Sequence, residues 1–451
     1  MTTDPSAAQQ WTYRRVLTTG RTGVFLTGDL ISNIGDGMLL TALPLLTLRI
    51  HGSTAPALAI ALVQSSPYVL SAGFAFTIGL GRLRPAPRTL LRYDCLLRGP
   101  LYTGLGVLAL TGRLSLPVLI SCLLLGSVLH TAAAGSRRLI ATAQVDPAGR
   151  LAVNGLLGTS SSLALYAVGP MLGGVLSAVG NPGVALLFDG CSFFVLLAAV
   201  RVTIGPRRGA GRGSAADPDQ DPGRDPGQAE ETVAGSTVPV SGWRVLRRVP
   251  AAARLLVVVF CFNLFYMPVE IALPLLVQGK LHQDGTALGA IWAAFGIGAL
   301  IGAVCTNLLR KLPRTQVLVT IVAGWGLVVL LLAVGRTVPF AVVDFFVGGL
   351  IYAPFSPVVY TFVQSVLQPD EQQSVVTLWS AGTLLAAPIG LLLGGPLVTG
   401  LGATGALVAS AALTLALVPL AATGLRRRAA TPGRGDDNGD EKRSRKTEVG
   451  R

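Results

Sequence analysis

The sequence predicts an all-α membrane protein whose twelve transmembrane helices form two parallel six-helix repeats. Composition is the first observation: 51% of the residues are hydrophobic and only 13% are charged, about half the charge of an ordinary soluble chain. The second is a recurrence of apolar runs of roughly 20 residues, the length that crosses the hydrocarbon at 1.5 Å per residue. The third is self-similarity. Ala42-Leu43-Pro44-Leu45-Leu46 returns as Ala272-Leu273-Pro274-Leu275-Leu276, 230 residues later. The same offset pairs Asn33 with Asn263, Ala57-Leu58 with Ala287-Leu288, and Arg84 with Arg314. At nearly that offset Gly169, Gly173 and Gly174 meet Gly390, Gly394 and Gly395. A long-period match running in one direction means two copies of one unit.

The expected spans cover residues 23–48, 56–80, 94–112, 115–136, 152–178, 183–204, 254–277, 286–309, 315–334, 338–366, 374–400 and 403–425. Pro44, Pro67, Pro170, Pro274, Pro354, Pro357 and Pro388 fall inside them, which membrane helices tolerate because neighbouring groups satisfy the freed carbonyls. The 55 glycines suit close helix packing in lipid. The spans group into an N-terminal bundle, 23–204, and a C-terminal bundle, 254–425, behind a short N-terminal segment, 1–22. Between the bundles, 205–253 begins with a Gly-, Pro- and Asp-rich stretch that cannot build a core. It ends in WRVLRRVPAAAR, Trp243 to Arg254, a basic segment with apolar positions suited to lying along a membrane surface. The charged tail, 426–451, is expected to be disordered.

Orientation follows from Lys and Arg, which concentrate in cytoplasmic loops. Alternate short loops carry ten: Arg82, Arg84, Arg88, Arg92, Arg137, Arg138, Arg150, Arg310, Lys311 and Arg314. The opposite loops carry four: Arg49, Arg113, Lys280 and Arg336. Both termini and the central loop share the side of the ten, so they are expected in the cytoplasm of a multi-pass cell-membrane protein. The net charge of +14 is thereby explained by topology rather than by nucleic acid, for which no motif exists.

Several chemistries are excluded. Cys95, Cys122, Cys191, Cys261 and Cys305 show no CxxC pair, and the three histidines are not spaced for a metal. No cleavable signal is visible. No GxxxxGK[ST] motif is present, so transport would draw on an ion gradient. Neither a metal nor another cofactor is expected, and an enzyme would need a nucleophile and base that the spans lack.

Five carboxylates lie within the spans: Asp29, Asp36, Asp189, Glu270 and Asp344. Each costs roughly 2.5–3.5 kcal/mol if ionised at a helix centre, so five facing lipid would cost on the order of 10 kcal/mol. They are expected to face the interior, to be neutral or to lie near an interface. Asp36 is midway along the first span and Glu270 past the middle of the seventh, its repeat partner. Asp189 and Asp344 stand nearer the outer ends and suit either headgroup wetting or burial. Asp29, Asn33 and Asp36 step by four and three, and Asn263, Tyr266 and Glu270 by three and four, so each set lines one helix face. Two such stripes on repeat-related helices suit a substrate and proton-coupling cavity between the halves; packing polarity is the plain alternative. Gly169 and Gly173 form GxxxG, and Pro170 bends its helix. Gly296, Gly298 and Gly302 are read as packing residues, and His130 as an interfacial group.

Twelve spans in two parallel repeats, a cytoplasmic central loop and inward termini resemble the major facilitator superfamily over about residues 11–425. The details resemble its drug and siderophore exporter branch, the macrolide-efflux-like and enterobactin-exporter-like members. They are FLTGDLISNIGDGMLLTALPLL in the first span, Arg88-Thr89-Leu90-Leu91 with Asp94, Gly169-Pro170-Met171-Leu172-Gly173-Gly174, and Trp243-Arg244. The resemblance implies a gating or packing role for Gly169, Pro170, Gly173 and Gly174. It also implies a cytoplasmic charge network from Arg84, Arg88, Asp94 and Arg98. One departure bears on that network: Arg82 stands where the family has an aspartate, after Gly79.

The expected function is export of a small hydrophobic or amphipathic compound by a proton-coupled antiporter, a monomer whose partners are substrate, protons and the bilayer. An importer of a small nutrient or a transport-inactive sensor is the alternative. The available intramembrane groups are carboxylates, which burial can retune for protons rather than sodium. Aromatics at 6% argue against a sugar site. The topology has a direct check. Reporters fused after Arg428 and within 215–235 should be active only as cytoplasmic reporters, and activity of a reporter that works only outside the cell would reverse the orientation.

Overall fold

A computed structural model describes residues 13–18, 20–79, 86–146, 149–204 and 242–424. Helices account for nearly all of them, and no strand occurs among the described residues. The N-terminal half runs through α1 (Tyr13–Thr18), α2 (Gly20–Ile50), α3 (Pro56–Gly79), α4 (Pro87–Leu110), α5 (Leu116–Ser127), α6 (His130–Thr142), α7 (Arg150–Leu163), α8 (Gly169–Val179) and α9 (Gly183–Ile204). The C-terminal half runs through α10 (Gly242–Arg248), α11 (Pro250–Gly279), α12 (Gly285–Cys305), α13 (Arg314–Val334), α14 (Val338–Tyr352), α15 (Phe355–Val366) and α16 (Pro369–Gly424). Starts carry readable signals. Pro opens α3, α4 and α11, where its missing N–H is no loss. Asp284 caps α12 by accepting the Thr286 N–H at 2.9 Å.

Helix occupies all twelve expected intervals, yet length and apolarity alone select eight runs. For three of the helices concerned the difference has physical causes. α16 holds two expected spans in one run, bent at Gly402, whose φ of 72° needs glycine. The expected fourth span is divided at Val128–Leu129 into α5 and α6. α4 carries Arg88, Arg92, Asp94 and Arg98, two of which are buried rather than exposed to lipid.

The internal repeat is also a repeat of contacts. Gly169 packs on Gly37, and Gly173 on Met38 and Thr41. In the other half Gly390 packs on Met267, and Gly394 on Pro268 and Ile271. Residues 37, 38 and 41 become 267, 268 and 271 by the same 230-residue step seen in the sequence. The last glycine of each set crosses to the opposite half. Gly174 lies on the backbone of Gly285 and Gly289, and Gly395 on Leu58 and Ala61. A Cβ at Gly174 would enter backbone, so glycine sets how closely the halves approach there. These crossings join α8 to α12 and α16 to α3, near the end of the bundle that carries the α2–α3 and α11–α12 turns.

Burial and packing decide several positions that the sequence left open. Asp189 is 0% exposed and Asp344 6%, so neither is wetted; Asp189 lies against Gly35 of α2 and accepts from Ser192. Gly296 packs on Tyr166 and Ala167, while Gly298 and Gly302 pack on α14 at Phe346 and Leu350. The basic segment before α11 is a helix, α10, that buries Val245 and Leu246 and leaves Trp243 exposed. Arg248, just before α11, donates to Glu371 at the start of α16. Arg82, Arg84, the Gly-rich linker and the tail lie outside the described residues.

Candidate functional site

The site grows from one face of α2. Because Asp29, Asn33 and Asp36 are a helical turn apart, all three project the same way, and Ser32 flanks them. That face meets two arginines from other helices. Arg137 of α6 donates to Asp29 Oδ1 at 3.2 Å, Asn33 Oδ1 at 3.5 Å and Ser32 Oγ at 3.2 Å. Asn33 in turn donates to Asp29 Oδ2 at 2.9 Å and to Ser161 Oγ at 3.3 Å. One turn along, Arg98 of α4 donates to Asp36 Oδ1 at 2.5 Å and lies 3.0 Å from His130 Nδ1. Its guanidinium carbon sits 4.2 Å from the Phe193 ring centroid and 5.0 Å from that of Tyr102. Asp29 thus has a buried cation and a further hydrogen bond from Asn33, and Asp36 has a buried cation, the condition for holding such charges away from water.

These residues line a cavity of about 640 Å³ that extends from Leu43 and Glu270 toward Arg138 at the basic end of α6. A second compartment of about 720 Å³ adjoins it on the C-terminal side. Tyr68, Ser162, Tyr166 and Glu270 belong to both. Asn263, Tyr266, Phe295, Tyr352 and Trp379 line the second. Of the eight tyrosines in the chain, Tyr68, Tyr166, Tyr266 and Tyr352 face it. Behind them Tyr266, Trp325 and Tyr352 contact one another with ring centroids 5.3–6.0 Å apart.

Local helix chemistry shapes the wall between compartments. Pro170 has no N–H to complete the ladder, and residues Ala164–Val168 just before Gly169 widen into a π-helical turn. The turn presents Tyr166 to both compartments. Its outward backbone is covered by Gly296 of α12, and the Pro170 carbonyl accepts from Thr41 of α2 at 3.1 Å.

The expected cavity residues Asp36, Glu270, Asp29 and Asn33 therefore share the first compartment, and Asn263 and Tyr266 line the second. The expected cytoplasmic network does not assemble around Arg98. Arg98 turns to Asp36, while both carboxylate oxygens of Asp94 are buried without a hydrogen-bond partner. Arg88 stands in the first turn of α4, ten residues before Arg98, and is exposed. His130 lines the cavity rather than an interface, because the break at Val128–Leu129 starts a new helix at that residue. Arg137, one of the ten orientation charges in the sequence, is a buried partner of α2. Its signal was helical: it shares a face with Ala133, Ile140 and Ala141, all buried, whereas Arg138 next to it is exposed. No group of three or more metal-ligating side chains occurs among the described residues.

Comparisons with known proteins agree with this architecture. The family model described as Major Facilitator Superfamily matches residues 25–315 and 267–449. The chain is 26% identical over 391 residues to the multidrug efflux pump Tap of Mycolicibacterium fortuitum, covering 83% of this chain and 88% of that one. The solved nucleoside transporter NupG superposes with a TM-score of 0.66 at 13% identity, over 90% of this chain and 100% of that one. A bacterial homologue of the human lysosomal transporter Spinster, solved inward-facing and unoccupied, gives 0.64 at 12% identity, over 91% and 98%.

The ion pairs make a stability prediction. Removing one member of a buried pair strands the other charge and typically costs about 3–5 kcal/mol. Arg137→Met alone should lower the thermal unfolding temperature of the purified protein strongly, and Arg137→Met with Asp29→Asn should recover most of the loss. Equal loss in the single and double variants would show that packing of Arg137, not charge, is what matters.

Proposed function

Because the chain belongs to the major facilitator superfamily, a family of membrane transporters rather than enzymes, we propose that it is a proton-coupled exporter of small hydrophobic or amphipathic compounds. The observation that carries this reading is the Asp36–Arg98 pair, buried in the wall of a cavity lined by both halves. Export, rather than import, is supported by likeness to the Tap pump. The proposed units are a bundle at 23–204, a linker at 205–253 and a bundle at 254–425. Residues 1–22 and 426–451 would lie with the linker on the cytoplasmic side of the cell membrane, and the working unit is a monomer.

In this reading the basic end faces the cytoplasm, so the cavity is open inward and the glycine crossings of α8 with α12 and α16 with α3 close the outer end. Asp36 carries the coupled proton. Ionised, it holds Arg98 between α2 and α4. Protonated, it loses the charge that holds Arg98. A guanidinium released from α2 removes a tie between two helices of the N-terminal half and lets α2 shift against its neighbours. A proton taken from outside and released inside would thereby drive the change of access while substrate moves outward. Asp29 and Arg137, bonded in addition to Asn33 and Ser32, keep α2 fixed to α6 throughout. Glu270 and the tyrosines contribute the substrate wall.

Efflux from proteoliposomes under an imposed pH gradient tests the reading. Asp36→Asn should abolish gradient-driven efflux, a loss of more than about 100-fold at unchanged folding, and should leave substrate binding within a few fold. Efflux at the parental rate would place coupling elsewhere, and gradient-driven uptake of a hydrophilic solute would favour the importer.

A further inference from the structure

His130 is a cavity group that the proton cycle of Asp36 leaves unused. It meets Arg98, which works with two arms. One donates to Asp36 Oδ1 at 2.5 Å, and the other lies 3.0 Å from His130 Nδ1. A guanidinium carries N–H donors and no acceptor, so the ring nitrogen it meets must offer a lone pair. Nδ1 is therefore the acceptor. The ring in this conformation is uncharged, with its proton on Nε2. The remaining Arg98 nitrogen, Nε, is buried without a hydrogen-bond partner. The Phe193 and Tyr102 rings attract the cation through their faces, which does not choose where its N–H groups point. Asp36 and His130 make that choice between them. The ring is in place because the break at Val128–Leu129 makes His130 the first residue of α6, the helix that also carries Arg137 to Asp29.

We infer that His130 is the positioning residue of the coupling pair: neutral, it holds one arm of Arg98 so that the other meets Asp36, and a proton bound at Nδ1 breaks that hold. The inference rests on the reading of Asp36 as the proton carrier and adds a second point at which protons act. A proton on Nδ1 removes the lone pair and sets an imidazolium against a guanidinium, two cations in contact in a buried site. The charges that bear on the ring are Arg98 of α4, Asp36 of α2 and Arg137 of its own helix. Of the other helices packed on α6, α3 carries Tyr68, α5 Cys122 and α7 Arg150 as their titratable residues. The further carboxylates are Asp94, one turn before Arg98 on α4, and Asp29 on α2, which Arg137 holds. Because His130 lines the cavity that extends to the basic end, its proton comes from the cytoplasmic solution. Acid on that side therefore loosens Arg98 from Asp36 and slows export.

Two readouts test this on the full chain in lipid bilayers. The first is 15N magic-angle-spinning NMR of the protein labelled at histidine. It has three histidines, and the His130 signals are those lost in His130→Asn. The parent near neutral pH should show His130 as the neutral ring protonated on Nε2. A ring protonated on Nδ1 would overturn the inference. The second is gradient-driven efflux from proteoliposomes as pH is lowered on the side to which the cavity opens. His130→Leu removes the acceptor and should slow efflux about tenfold or more, the loss of a hydrogen bond to a charged group. His130→Asn places an amide oxygen near the position of Nδ1 and does not titrate. It should restore most of the efflux that His130→Leu loses, and its rate should no longer fall on acidification. Should His130→Leu not fold, the flattened acid limb of His130→Asn carries the test. An acid limb in His130→Asn equal to that of the parent would overturn the inference, as would parental efflux in His130→Leu. The outcome is separable from the coupling reading. Parental efflux in Asp36→Asn, with His130 protonated on Nε2 and its acid limb lost in His130→Asn, would remove Asp36 as the carrier while keeping the hold on Arg98. Loss of coupling in Asp36→Asn, with both His130 variants exporting as the parent does, would remove the role of His130 alone.

Discussion

An ionised carboxylate in the middle of a membrane bundle must be paired or it will not stay charged, and pairing decides which helices are tied together. α2 brings two aspartates to one face. Arg137 and Arg98 answer them from α6 and α4, each supported by further polar or aromatic contacts. The N-terminal half is organised around that zipper. It explains why α4 buries Arg98 and why α6 turns a positive side chain inward. Buried pairs of this kind contribute little net stability compared with apolar residues of equal volume. Their retention makes sense if one of them changes partner during the working cycle.

The repeat supplies the frame on which such a change can act. Glycines of α8 hold α2, and the matching glycines of α16 hold α11, through residues related by one constant step in the sequence. The final glycine of each set reaches across to the other half. Each half therefore contains a helix that is packed on its own polar helix and on its partner bundle at once. The two halves then diverge in chemistry: one invested its cavity wall in ion pairs, the other in aromatic rings around a single glutamate. Asp36 and Tyr266 occupy equivalent positions in the two copies, which shows the divergence at one residue pair.

Much of this was legible before the fold was known. The repeat offset, the polar stripe on α2 and the glycine pairs on α8 depend on spacing along one helix, and spacing survives in a sequence. Arg98, Arg137 and His130 did not yield to the same reading. Positive residues near span ends carry the orientation signal, and nothing in their spacing to Asp29 or Asp36 shows that they fold back onto α2. The break between α5 and α6, which sets where His130 and Arg137 point, has no proline or glycine at Val128–Leu129 to announce it. The aromatic wall was hidden for a different reason. At 6% of the chain the aromatics are scarce, but long-range packing gathers them from α3, α11, α12, α14 and α16 into one place, and an average cannot report where residues converge.

The central claim is that the proton on Asp36 sets which end of the cavity is open. The distance between Ala134 and Ala303, exposed residues lining the cavity from opposite halves, reports the inner opening directly. Spin labels on Ala134→Cys and Ala303→Cys, in a background lacking the five native cysteines, give that distance by pulsed electron resonance. The account predicts two distance populations whose ratio changes with pH, and a ratio that no longer responds to pH when Asp36→Asn is added. An unchanged pH response in the Asp36→Asn protein would contradict it.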